Sequence, residues 1–203
     1  MSSTERLDAL CEAIAHRRSM GVARLKSDPV PESLIEQALE AANWAPSHGE
    51  TEPWRFIVFT GEGRQELGEA FAQAYRVDAL EAGNFKETTF EAQRNRTQDS
   101  PVWIALGLEP ALREDGTLKM TMEEELMAGA CAIQNLHLVA NAQGLAGMWL
   151  SKGVMVHPLV ADRIGLCAPY TRLLGFFVLG YPNIPWPEGE RRPLSEKLRW
   201  VRS

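Results

Sequence analysis

Three short stretches carry residue types that could hold a ligand. In "HRRSM", residues 16–20, two guanidiniums and a hydroxyl follow one another at the expected end of a helix. Guanidiniums grip phosphate through paired N–H groups and a serine adds a donor, so Arg17, Arg18 and Ser19 are competent to hold one phosphate group. The plainer reading of the same residues is that cations at a helix C-terminus complement its dipole. In "WAPSHGETEPW", residues 44–54, Trp44 and His48 stand in a polar loop that runs straight into an apolar, strand-like segment. A rigid scaffold fixes what such a loop presents; alternatively, its prolines only set its course and its tryptophans pack in a core. "GMWLSKG", residues 147–153, puts Trp149 and Ser151 on one side of a strand, between glycines that admit close backbone approach. A ligand with a phosphate at one end and a flat heteroaromatic ring at the other would use all three stretches.

Other chemistries lack their residues. "GEGRQELG", residues 61–68, has Glu66 where a G-x-G-x-x-G dinucleotide fingerprint needs its third glycine. No G-x-S-x-G elbow occurs, and Cys11, Cys131 and Cys167 are odd in number and far apart, which speaks against a disulfide framework. His16, His48, His137 and His157 show no H-x-x-x-H or carboxylate spacing, so no metal ligand is nominated. No catalytic acid, base or nucleophile is nominated either. A net charge of −6 provides no global field for nucleic acid or an anionic membrane. No apolar run approaches the ~20 residues of a membrane span, and the N-terminus lacks a signal-peptide pattern, so the expected location is cytoplasmic.

The elements that must position these stretches follow from periodicity. Ser2 and Glu5 form a capping box for a helix reaching about Arg18, and Leu34, Ile35, Ala38, Leu39 and Ala42 make the stripe of a second, stopped before Pro46. Strands are expected at 54–60, 101–109, 145–153 and 172–182, with a third helix around 67–75 and a short one near 158–164. The longest helix, about 120–143, is apolar or small on nearly every face and expected to be buried on several sides. Residues 83–100 have no usable period and read as a mobile excursion or lid. With no internal repeat or low-complexity linker, 203 residues read as one α+β domain, a mixed, mainly antiparallel sheet flanked by helices. The basic tail ending near Trp200 reads as a segment that packs onto something else.

"RRS" closing the first helix, "ANWAPSHGETEPWRFIV" after the second, "GACAIQNLHLVANAQGLAGMWLS", "LLGFFVLGYP" and "RRPLSE" resemble, in this order, the nitroreductase family of FMN-dependent oxidoreductases. The likeness is greatest to small single-domain bacterial members and spans about Arg17 to Trp200. It implies a nitroreductase-like fold over 1–203 and an obligate homodimer with FMN at the subunit boundary. It further implies hydride transfer from NAD(P)H, through flavin N5, to an oxidised small-molecule acceptor such as a nitroaromatic or quinone. The alternatives are reduced-flavin breakdown, dehalogenation, or FMN binding without turnover. Carried over residue by residue, Arg17, Arg18 and Ser19 match phosphate and ribityl contacts. Trp44 and His48 match a loop reaching the flavin, commonly that of the partner subunit. Trp149, Leu150 and Ser151 match the strand lining the isoalloxazine, and Arg191, with Arg192 as close substitute, matches a C-terminal phosphate contact. Glu52 departs from the pattern: many members have an amide there, which donates where a carboxylate cannot.

Overall fold

The computed structural model describes residues 2–202. Helix α1 spans Ser3–His16 and begins with the expected box, Glu5 N–H donating to Ser2 Oγ at 3.2 Å and Ser2 N–H to Glu5 Oε2 at 2.6 Å. It stops two residues short of expectation, because Arg17 leaves the helical region at φ −55°, ψ 127°. Helix α2, Glu32–Asn43, buries Ile35, Ala38 and Ala42. Strand β1, Trp54–Phe59, leads through a turn into α3, Gly63–Glu81.

Residues 83–100 are largely helical rather than an irregular excursion. Helix α4 covers Glu87–Asn95 and lies flat on α3. Gly68 makes the approach possible, because the Arg94 carbonyl occupies the place where a side chain at 68 would sit. Tyr75, Phe85 and Phe90 meet in series along the contact with their rings tilted to one another, and Trp103 Nε1–H donates to the Thr97 carbonyl at 3.0 Å. None of the residues of α4 is fully buried, which is why no apolar period announced it.

Strand β2, Val102–Leu108, helix α5, Met122–Ala142, strand β3, Ala146–Leu150, short helix α6, Pro158–Arg163, and strand β4, Arg172–Gly180, complete the chain's regular elements. The sheet order is β1-β2-β4-β3 and every neighbouring pair is antiparallel. A single parallel bridge, Ser19 to Gly147, accounts for the mixed character. The fold is therefore α+β, an antiparallel sheet between helices. Alternation along β2 and β4 explains why both read as unbroken apolar runs. Ile104, Leu106, Leu108, Phe177 and Leu179 face α2 and α5, while Trp103, Ala105, Phe176 and Val178 face α3 and α6. On that second side Phe71 meets Phe176 edge-on at 5.1 Å between ring centres.

Gly129 lets α5 settle on the sheet, since a methyl there would lie 2.8 Å from Leu108 Cδ2. Gly175 has a different task. Its φ of +115° is open only to glycine, and the Leu150 carbonyl fills the place of its missing side chain. The β3–β4 edge, and hence the course of Trp149–Ser151, depends on that position. Gly175→Ala is expected to cost roughly 2 kcal/mol or more of stability, from backbone strain alone. Thermal unfolding should show a midpoint lower by several degrees; an unchanged midpoint would contradict the assigned role.

Candidate functional site

The residues after α1 are fastened to the free edge of the sheet. Met20, fully buried, anchors the segment in the core, its N–H donating to the Gly147 carbonyl at 2.8 Å, and Ser19 pairs with Gly147. Two residues further along that strand comes Trp149. Sequence-distant stretches are thus joined by backbone hydrogen bonds, with Arg17–Ser19 at one end and Trp149–Ser151 at the other.

Arg17, Arg18 and Arg191 line one cleft of about 390 Å³, together with Ile14, Ala15, Gln134 and Gly189. Among the described residues no ion pair reaches any of the three. Burial, then the charges of Arg191 and Arg18, hold the Arg17 guanidinium below its usual value. Cations gathered without a carboxylate are what an anion site requires. The three are not equivalent. Arg18 donates to the carbonyls of Ala15 at 2.6 Å, Arg17 at 2.8 Å and Pro187 at 3.0 Å, so its side chain ties the C-terminal tail to the end of α1. Arg17 Nη1 donates to Ser19 Oγ at 3.3 Å, and Arg191 only to its neighbour's carbonyl. Arg192 is exposed and lies 4.0 Å from Glu196.

A second cleft, about 610 Å³, opens beside the end of β3 and is lined by Trp149, Ser151, Leu126, Thr171, Arg172 and Leu174, among others. The Trp149 indole is 39% exposed, and its Nε1–H donates to the Leu174 carbonyl at 2.9 Å, which fixes the ring as a wall. Leu150, alternating with it, packs its side chain into the core beneath.

Trp44 and His48 enter neither cleft within one chain. Trp44 is 80% exposed and donates to Glu40 at 3.0 Å. His48 lies 2.6 Å from Glu124, whose carboxyl is held down to about 2, first by the Thr121 N–H and then by His48. The loop is sharply wound, with left-handed Gly49, Glu50 and Glu52 at φ 66°, 53° and 43°. It is closed by Thr51 Oγ1–H donating to buried Glu125 at 2.7 Å. Glu52 is exposed.

His137 and Asn141 were not nominated from the sequence. Asn141 Oδ1 accepts from the Arg18 N–H at 2.8 Å, and buried His137 lies between the Arg18 carbonyl, 2.9 Å from Nε2, and Arg17 Nη1, 3.4 Å from Nδ1. The available signal was Gln134, His137 and Asn141 recurring on one face of the largely apolar run 126–142. Burial first, and the Arg17 charge second, push the His137 imidazole down to about 4, against the Arg18 carbonyl, which raises it.

A family model described as the nitroreductase family matches residues 14–181. The protein YdjA of Escherichia coli (strain K12), named provisionally as an NAD(P)H nitroreductase, is 32% identical over 179 residues, 88% of this chain and 90% of that protein. The crystal structure of a nitroreductase-like family protein from Bacillus cereus superposes with a TM-score of 0.76 at 27% identity, covering 96% of each chain. A Desulfovibrio desulfuricans nitroreductase homologue, solved in complex with FMN, has the same fold at a TM-score of 0.69 and 21% identity, covering 96% of this chain and 97% of that one. The chain belongs to the nitroreductase family. No helix among the described residues is long and apolar enough to cross a membrane.

The buried histidine sets a pH dependence. The unfolded chain takes up a proton near 6.5, the native one only near 4, so between these values the unfolded state binds more protons. Stability therefore falls as pH drops from about 6.5 to about 4, by at most roughly 3 kcal/mol from this group. Denaturant midpoints of wild type and His137→Gln across that window should converge toward acid pH; parallel curves would contradict it.

Proposed function

We propose that this chain is an FMN-dependent NAD(P)H oxidoreductase acting on an oxidised small-molecule acceptor such as a nitroaromatic or quinone, as a homodimer with FMN at the subunit boundary. The observation that carries the reading is a carboxylate-free guanidinium pair, Arg17 and Arg191, of which Arg17 is joined through the Ser19–Gly147 bridge to the strand that presents Trp149 and Arg191 is brought alongside by the tail that Arg18 ties down. An FMN phosphate fits the first cleft in charge, and a flat ring fits beside the glycine-bounded strand end. The names of the relatives, one an NAD(P)H nitroreductase and one a complex with FMN, support the same assignment.

FMN held there would supply the redox chemistry, hydride acceptance from NAD(P)H and delivery of the reducing equivalents to the acceptor. The protein binds and orients. Arg17 and Arg191 hold the phosphate, with Ser19 as a neutral donor. Trp149 and Ser151 bound the ring edge, Leu150 contributing backbone because its side chain belongs to the core. Arg18 holds the tail in place, so that Arg191 stays near Arg17.

The dimer reading rests on surfaces that one chain leaves uncovered. Helix α1 buries no residue, and Leu7, Leu10 and Ile14 form an exposed stripe along it at 59%, 55% and 51%. A properly capped helix with an uncovered apolar face calls for a partner. Trp44 and His48 would then face the neighbouring subunit's flavin, which explains why they reach no cleft of their own. Sedimentation should give twice the 22.6 kDa chain mass, and Leu7→Glu with Leu10→Glu should yield monomer that has lost FMN; a wild-type monomer would contradict the dimer.

The catalytic reading is tested by anaerobic addition of NADH or NADPH to the purified yellow protein. Bleaching of the flavin band with either, and recovery on adding a nitroaromatic or quinone, is the expected result. Colour that persists with both nucleotides would instead indicate an FMN-binding protein without turnover.

A further inference from the structure

His137 is 6% exposed, its ring edge-on to Phe177 with 4.9 Å between centres, on α5, which meets Arg17 and Arg18 through His137 and Asn141. Its two nitrogens meet groups of opposite character. Nε2 lies 2.9 Å from the Arg18 carbonyl, which can only accept, so Nε2 carries the hydrogen. Nδ1 lies 3.4 Å from Arg17 Nη1, which can only donate, so Nδ1 must be bare. This pairing is possible for one neutral tautomer alone. The charged groups that meet the ring are Arg17 and, through its backbone, Arg18; no carboxylate bonds to it among the described residues.

Arg17 needs such a neighbour. A flexible side chain carrying a charge, repelled by Arg191 and Arg18, has no carboxylate to fix its direction. A carboxylate would fix it but neutralise the site. A neutral imidazole acceptor orients the guanidinium and leaves its charge intact, as outer partners orient the ligands of metal sites.

We propose that His137 is the positioning residue of the anion site: its bare Nδ1 aims Arg17, and its Nε2–H pins the Arg17–Arg18 backbone to α5. The proposal rests on the reading that Arg17 holds the FMN phosphate. His137 makes no ligand contact in this role.

Riboflavin, which lacks the phosphate, separates positioning from packing. Full-length protein is titrated with FMN and with riboflavin, followed by quenching of flavin fluorescence. His137→Leu should weaken FMN about tenfold or more while riboflavin changes less than about twofold. His137→Gln should restore most of the loss, because an amide offers one donor and one acceptor. Equal weakening of both flavins by both variants, or no weakening by His137→Leu, overturns the proposal. Arg17→Ala reports on the underlying reading: unchanged FMN affinity there removes the phosphate assignment itself. Loss of FMN in Arg17→Ala without loss in His137→Leu removes only the positioning role. Should His137→Leu not fold, imidazole ¹⁵N spectra of the wild type decide. An Nε2–H ring whose bare Nδ1 signal shifts on adding FMN but not riboflavin upholds the proposal, and an Nδ1–H ring, or a signal that responds alike to both flavins or to neither, overturns it.

Discussion

The backbone pairing of Ser19 and Met20 with Gly147 decides where the side chains lining the two clefts stand. A sheet edge normally offers unpaired N–H and C=O groups, and here the segment leaving α1 takes up one such position on β3. Met20 fixes it by complete burial. Side chains on either side of the pairing then have little freedom: Arg17 must lie over α5, and Trp149 must lie at the far end of the same strand. Gly147 is required there, since the Val178 carbonyl and the Phe177 ring occupy the space that a side chain would need. Close packing of three backbone segments, rather than any single strong contact, sets the distance between the two clefts.

Charge is arranged on that frame with evident economy of donors. Arg18 directs its guanidinium to carbonyl oxygens at the end of α1 and in the tail, where a cation favourably meets the negative end of a helix. Arg17 and Arg191 are left as the cations able to receive an anion. The tail, exposed along most of its length, is led past α1 by the Arg18–Pro187 bond and by Trp186, which stacks on His16 at 5.2 Å and donates to its carbonyl. Arg18 thus serves the cleft through its neighbours: of the two readings of "HRRS", the helix-end one describes Arg18, and the phosphate one is the role proposed for Arg17.

The frame was legible in sequence where local patterns suffice. Capping at Ser2, the α2 stripe before Pro46, and the unbroken apolar runs of β2 and β4 follow from neighbours within a few residues. The small residues of α5 announced the burial of one face, at Ala128, Gly129, Ala132 and Ala140, but the expected burial on several sides is not met within one chain, where Met127, Ala130, Cys131 and Gln134 stay exposed. What escaped depends on partners distant in the chain. Helix α4 is held by Gly68 and by aromatic contacts from α3, so its own sequence carries no apolar stripe. His137 gains its significance only because Arg17, 120 positions earlier, comes to lie against it. Arg18 looked like Arg17 until Pro187 and Ala15 supplied it with acceptors. Within the single chain, Trp44 and His48 stand apart from the clefts, since the surface they face is not part of the same polypeptide on the reading advanced here.

The central claim is that Arg17 and Arg191 receive the phosphate of a flavin whose ring lies against the strand carrying Trp149. A crystal structure of the yellow protein tests it most directly. The account predicts the FMN phosphate within hydrogen-bond distance of both guanidiniums and the ring edge beside Trp149–Ser151, with Trp44 and His48 of the second subunit closing over it. Flavin bound with its phosphate away from both arginines would contradict the account.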